Sequence, residues 1–109
     1  MDFSIVTPVY NDPRIRDTIE AVQRQRTDFD VEHIVVDGMS TDGTVEVIES
    51  ARDKIDRLIR EDDDGVFDAM NTGIEAATGE VVGILNADDR YQDDSVLQDI
   101  HDRLRETGA

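Results

Sequence analysis

Asn86, Asp88 and Asp89 close the apolar run of "VVGILNADDR" (81–90). Two neighbouring carboxylates raise each other's pKa unless positive charge lies beside them. The common solution is a hard divalent cation with oxygen ligands. Mg²⁺ takes one or two carboxylates together with phosphate oxygens of a substrate, and Mn²⁺ accepts the same set. The pair therefore suggests a metal that docks a diphosphate, in place of a closed protein cage. A chance pair on a solvated acidic surface is the competing reading, because the chain carries 27 Asp and Glu against 11 Lys and Arg.

Asp37 ends a second apolar run, "VEHIVVD" (31–37), and precedes Gly38. A carboxylate there can accept from a nucleobase N–H or a ribose hydroxyl. It can equally cap a helix or structure a loop. In "STDGT" (40–44), Ser40, Thr41 and Asp42 are cap-type residues and Gly43 eases a turn. That run is read as fixing the loop after Asp37 and so aiming its carboxylate. Acidic and polar residues also gather at Tyr10-Asn11-Asp12 and at Glu61-Asp62-Asp63-Asp64-Gly65.

The elements that must position these residues follow from hydrophobic spacing. Strands are expected at 3–9, 31–37, 55–61 and 80–86. Helical patterns occupy 14–26, 40–52, 65–78 and 93–106, with Pro13 near the first start and Gly79 as a stop. The first, second and fourth strands are almost continuous Val, Ile and Leu, the pattern of parallel strands covered on both faces. Strand and helix alternating four times means βαβ units and an open α/β sheet, mostly parallel, with helices on both faces. Ligands of such sheets bind beyond the carboxyl ends of the strands. Every acidic group named above lies at such an end.

These segments carry a resemblance. "FSIVTPVYN", "HIVVDGMSTDGTVEVIE" and "EDDDGVFDAMNTGIEAATGEVVGILNADD" resemble the N-terminal half of family 2 inverting glycosyltransferases, whose nucleotide-binding part is a Rossmann-like GT-A fold. The likeness runs from Phe3 to about Tyr91, and the ordered set of motifs is far more specific than any one of them. It is strongest to bacterial and archaeal members that build polysaccharides or surface glycans. The resemblance implies a UDP- or GDP-sugar donor, Mn²⁺ or Mg²⁺, and transfer to an acceptor hydroxyl whose identity is unknown. It implies that Pro8 and Tyr10 frame the base, that Asp37 hydrogen-bonds it, and that Asp63 and Gly65 lie beside it. Asp88 would face the ribose or phosphate, and Asp89 would bind the metal. Asn71 matches a family Asn, though a structural amide role is the preferred reading. Many members carry Arg where this chain has Met70, which shifts phosphate neutralisation toward the metal. The family's catalytic base lies in the C-terminal half, and nothing after Asp89 resembles an acceptor site. The catalytic residue is therefore unassigned. The expectation is one donor-binding domain over 1–109, completed by another chain or by further sequence, with self-association through the faces left open. A non-catalytic nucleotide- or partner-binding module of the same fold is the alternative.

Composition bounds the rest. A length of 109 residues suggests one domain. A net charge of −16 repels nucleic acid and anionic membranes, so neither is expected as a partner. Lys54 is the sole lysine beside ten arginines. Such an acidic coat suggests adaptation to high salt, where the Debye length falls to about 3 Å at 1 M. The absence of cysteine excludes disulfides and thiolate metal sites. No run approaches a transmembrane length and no signal peptide is recognisable, so a cytoplasmic location is expected. A phospho-receiver domain would need acids directly after the first strand and a late functional lysine; here that strand ends in Thr7-Pro8 and Lys54 is misplaced. His33 and His101 lack metal-spaced partners and are read as packing or surface residues. Arg90 is expected to pair with Asp93 or Asp94.

Overall fold

The computed structural model describes residues 2–62 and 65–107. Asp63, assigned to the base pocket by the resemblance, lies outside them. The elements are β1 (Phe3–Val9), α1 (Ile15–Gln23), β2 (Val31–Asp37), α2 (Thr44–Ser50), β3 (Arg57–Arg60), α3 (Val66–Ala76), β4 (Val81–Ile84) and α4 (Val96–Glu106), with a 3₁₀ turn at Arg52–Lys54 after α2. The sheet has the order β3-β2-β1-β4, and every pairing is parallel. Val9 lies opposite Asp37, and Asp37 opposite Arg60, so the strand ends with polar residues meet along one edge.

The two sheet faces follow from strand alternation. Val9 and Val35 pack with Ile15 and Ile19 of α1 and Ile48 of α2. Phe3 and Ile5 pack with Val22 of α1 and Leu97 of α4. On the other face Val6, Ile34 and Val36 meet Ala69 of α3. Each fully buried Ile or Val contributes on the order of 1.5–3 kcal/mol of transfer free energy, and β1 is buried along its whole length. Gly73 lets α3 lie this close: a Cβ there would stand 2.2 Å from Val6 Cγ1.

Several expected boundaries move inward. The helix foreseen from Arg14 begins at Ile15, since Asp12 Oδ1 accepts from the Arg14 backbone N–H at 3.1 Å and holds the preceding turn. It ends at Gln23, and the Arg26 N–H then donates to Asp94 O at 2.7 Å, which turns the chain toward α4. The segment 40–43 is a loop before α2. The third strand loses its start because Ile55 N–H bonds Arg52 O in the 3₁₀ turn. One expectation is corrected outright. The fourth strand is not covered on both faces: β4 is an edge strand, and Val82 and Ile84 are 38% and 40% exposed. The physical reason is the seat of α3, which packs mainly on β1 and β2 and leaves that face of β4 partly open. No helix among the described residues is long and apolar enough to cross a membrane.

Candidate nucleotide-binding site

A cavity of about 490 Å³ opens at the carboxyl edge of the sheet. That is the size range of small-molecule and cofactor pockets. One wall is Pro8, Val9 and Tyr10, where β1 runs out. A second is Gly38 and Met39 after β2, and Asp62 follows β3. Gly65, Val66 and Ala69 bring the start of α3 to the rim. Gly65 has φ +116° and ψ −176°, a conformation open essentially to glycine alone. Tyr10 is 61% exposed and Met39 44%, so two large side chains are presented to solvent at the mouth. An exposed aromatic ring at a pocket rim is a stacking surface for a planar ligand.

Three of the residues singled out in sequence therefore share this cavity: Pro8, Tyr10 and Gly65. Asp37 does not line it. Its carboxylate is fully buried, on the face of the sheet that Val35 occupies. Ser40 donates to Asp37 Oδ1 twice, from its N–H at 3.1 Å and its hydroxyl at 2.6 Å. Arg60 Nε donates to Asp37 Oδ2 at 2.9 Å and supplies the compensating charge. A buried carboxylate needs such partners, because leaving water unpaired is costly. Each carboxylate oxygen has two lone-pair sites. Among the described residues one site, on Oδ2, is left for a further donor.

Asp88 and Asp89 lie beyond β4 on a turn in which Asp89 N–H donates to Asn86 O at 2.9 Å. Both are exposed. The turn is anchored from beneath by α1: the buried Thr18 hydroxyl lies at 3.0 Å from Ala87 O and also reaches Asp89 O. Arg14 makes a two-pronged contact with Asp12, Nε to Oδ1 and Nη2 to Oδ2, both 2.8 Å. That bond holds the Asp12 carboxyl below its ordinary pKa. The same Arg14 Nη2 stands 3.9 Å from Asp88 Oδ2. Among the described residues no group of three His, Cys, Asp or Glu is placed to hold a metal. The two carboxylates at 88 and 89 nevertheless fit Mg²⁺ or Mn²⁺ chemically. They are hard, exposed oxygen donors of the kind those ions combine with phosphate and water.

The expectation that the 40–44 run aims the Asp37 carboxylate is met through Ser40; the sequence reading missed Arg60, Thr18 and the apolar rim at Val66 and Ala69. The register Asp37↔Arg60 could have exposed the ion pair, had the start of β3 been placed correctly. The Thr18 contact spans 69 residues in sequence and leaves no local signal. Asp94 pairs with Arg26 at 3.1 Å, where Arg90 had been the expected partner. Of the packing and surface readings, His33 takes the first: it is buried, with Nε2 at 2.7 Å from Thr7 Oγ1.

The family model described as Glycosyl transferase family 2 matches residues 4–109. A PGL/p-HBAD biosynthesis glycosyltransferase of Mycobacterium bovis is 38% identical over 101 residues, covering 88% of this chain and 39% of that protein. An uncharacterized glycosyltransferase of Mycobacterium tuberculosis is 34% identical over 95 residues, covering 86% of this chain and 36% of its own length. Among solved structures, Staphylococcus aureus TarS 1-349 in complex with UDP-GlcNAc superposes with a TM-score of 0.83 at 28% identity, over 97% of this chain and 32% of that one. The mannosyltransferase PcManGT from Pyrobaculum calidifontis, in complex with GDP-Man and Mn²⁺, gives 0.80 at 29% identity, over 94% of this chain and 32% of that one. The chain thus spans less than two fifths of the length of these relatives.

Proposed function

Since the chain belongs to glycosyl transferase family 2, we propose that it is the donor-binding part of a sugar transferase and that the cavity at the strand ends receives a nucleoside diphosphate sugar. The observation that carries this is the cavity of about 490 Å³ walled by Pro8, Tyr10 and Gly65, with the Asp88–Asp89 pair on the same sheet edge. Tyr10 stacks on the base and Pro8 borders it. Gly65 gives the base room at the start of α3, and Asp63 is assigned beside it on resemblance alone. Asp37 receives a base N–H on the remaining lone pair of Oδ2, a contact that binding has to uncover because the carboxylate is buried. Asp88 faces the ribose or phosphate, and Asp89 holds a divalent ion. When bound, that ion supplies positive charge for a diphosphate leaving group. Arg14 adds a second cation near Asp88, which offsets the absence of an arginine at Met70.

The acceptor hydroxyl would be activated by a general base and would attack from the face opposite the leaving group, inverting the anomeric centre. No residue of this chain is assigned as that base. The acceptor half is read as lying outside these residues, in keeping with the share of its relatives that the chain spans. Calorimetric titration with UDP and with GDP, in multimolar KCl, with and without Mn²⁺, tests the binding. One of the two is expected to bind at one site per chain, and more tightly with Mn²⁺. Heats equal to dilution for both, with the metal present, would refute it. Transfer or hydrolysis of the sugar separates an enzyme from a binding module of the same fold.

A further inference from the structure

Two of the cavity walls are held in unusual backbone. Asn11, next to Tyr10, has φ +49°, and Met39, next to Gly38, has φ +68°. Residues with side chains persist there only where their surroundings fix them. What fixes them converges on one buried hydroxyl. Ser40 Oγ donates to Asp37 Oδ1 at 2.6 Å and accepts from the Asn11 backbone N–H at 2.9 Å. Asn11 returns the contact one residue on, where its Oδ1 accepts from Thr41 N–H at 2.8 Å. A connected path therefore runs Arg60–Asp37–Ser40–Asn11, from the end of β3 across β2 to the loop after β1. None of these four residues lines the cavity, yet both flanking walls hang from them. Only a group that donates and accepts at once can stand between a carboxylate and a backbone N–H, and a hydroxyl is such a group.

We propose that Ser40 is a positioning residue of the nucleotide pocket, whose hydroxyl sets the spacing between the wall bearing Tyr10 and the wall bearing Met39. This rests on reading the cavity as a nucleotide site. Replacing Ser40 by Ala leaves the Asn11 N–H without its acceptor and cuts the link from Asp37 to the loop after β1, so that only the Asn11–Thr41 bond ties the two loops, while the helices and β1 keep their packing. Ser40→Thr keeps the hydroxyl.

The test combines titration of UDP and GDP with amide hydrogen exchange on the full chain. Ser40→Ala is expected to weaken the bound nucleotide about tenfold, the scale of one lost buried hydrogen bond. Its Asn11 amide should lose protection while the amides of β1 keep theirs. Ser40→Thr should recover both, and Ser40→Cys, whose thiol bonds weakly, should fall between and serves if the Ala variant does not fold. Nucleotide bound equally by wild type and Ser40→Ala, or an Asn11 amide as protected as before, would overturn the proposal. Failure of the wild type to bind any nucleotide would instead remove the reading of the cavity, and the Asn11 amide would still decide whether Ser40 couples the loops.

Discussion

At the scale of single residues, Asp89, Thr18 and His33 make separable demands. Asp89→Asn should abolish the Mn²⁺-dependent part of nucleotide affinity and leave the metal-free part, as read by calorimetry. Equal Mn²⁺ enhancement in the variant would remove Asp89 from the metal. Thr18→Val takes away the hydroxyl beneath the acidic turn and leaves the Ala87 and Asp89 carbonyls without that donor. A stability loss of about 1 kcal/mol is expected, with weaker Mn²⁺ enhancement. A turn of unchanged metal response would show that Thr18 only packs. His33 carries the pH dependence: burial lowers its pKa from 6.5 to about 4. The folded state thus keeps His33 neutral, while the unfolded chain takes up a proton below pH 6.5. Its contribution is full above pH 6.5 and is lost as pH falls toward 4, on the order of 1.4 kcal/mol per unit. Urea unfolding at pH 7, 6 and 5 should show that decline, and His33→Gln should flatten it. Residue positions were legible where type and motif coincide: Tyr10 and Gly65 both line the cavity. Asp37 was legible in place but not in orientation, since strand alternation turns its carboxylate toward Ser40 and Arg60.

Elements were easier to read than their ends. The β1 and β2 ranges match the expectation at both limits, because every position there is apolar or tightly patterned. The end of α1 depended on a partner far along the chain, Asp94, whereas the start of β3 was set by the 3₁₀ turn just before it, where Ile55 N–H bonds Arg52 O. Open apolar edges were expected in general, but not on β4: Val82 and Ile84 have core composition, and only the seat of α3 decides that they are exposed. The seat is set by Gly73. Gly73→Ala should drive a methyl into Val6 and push α3 off β1, costing about 1–3 kcal/mol. Because α3 also supplies Gly65, Val66 and Ala69 to the cavity, nucleotide affinity should fall with it. Full stability in Gly73→Ala would contradict the packing described.

The whole molecule is governed by its charge of −16. At low ionic strength that charge repels itself and opposes the compact state. The melting temperature should therefore climb from dilute buffer to multimolar KCl; greater stability at low salt would contradict adaptation to salt. The same field disfavours a free anionic nucleotide, so binding also belongs at high salt and with a divalent ion. Diffraction from crystals grown with Mn²⁺ and a UDP- or GDP-sugar, recorded for anomalous scattering by manganese, reads the metal and the donor together. A manganese peak about 2.1 Å from a carboxylate oxygen of Asp89, with the base lying on Tyr10, is expected. A cavity empty at saturating donor, or manganese bound away from the turn after β4, would contradict it.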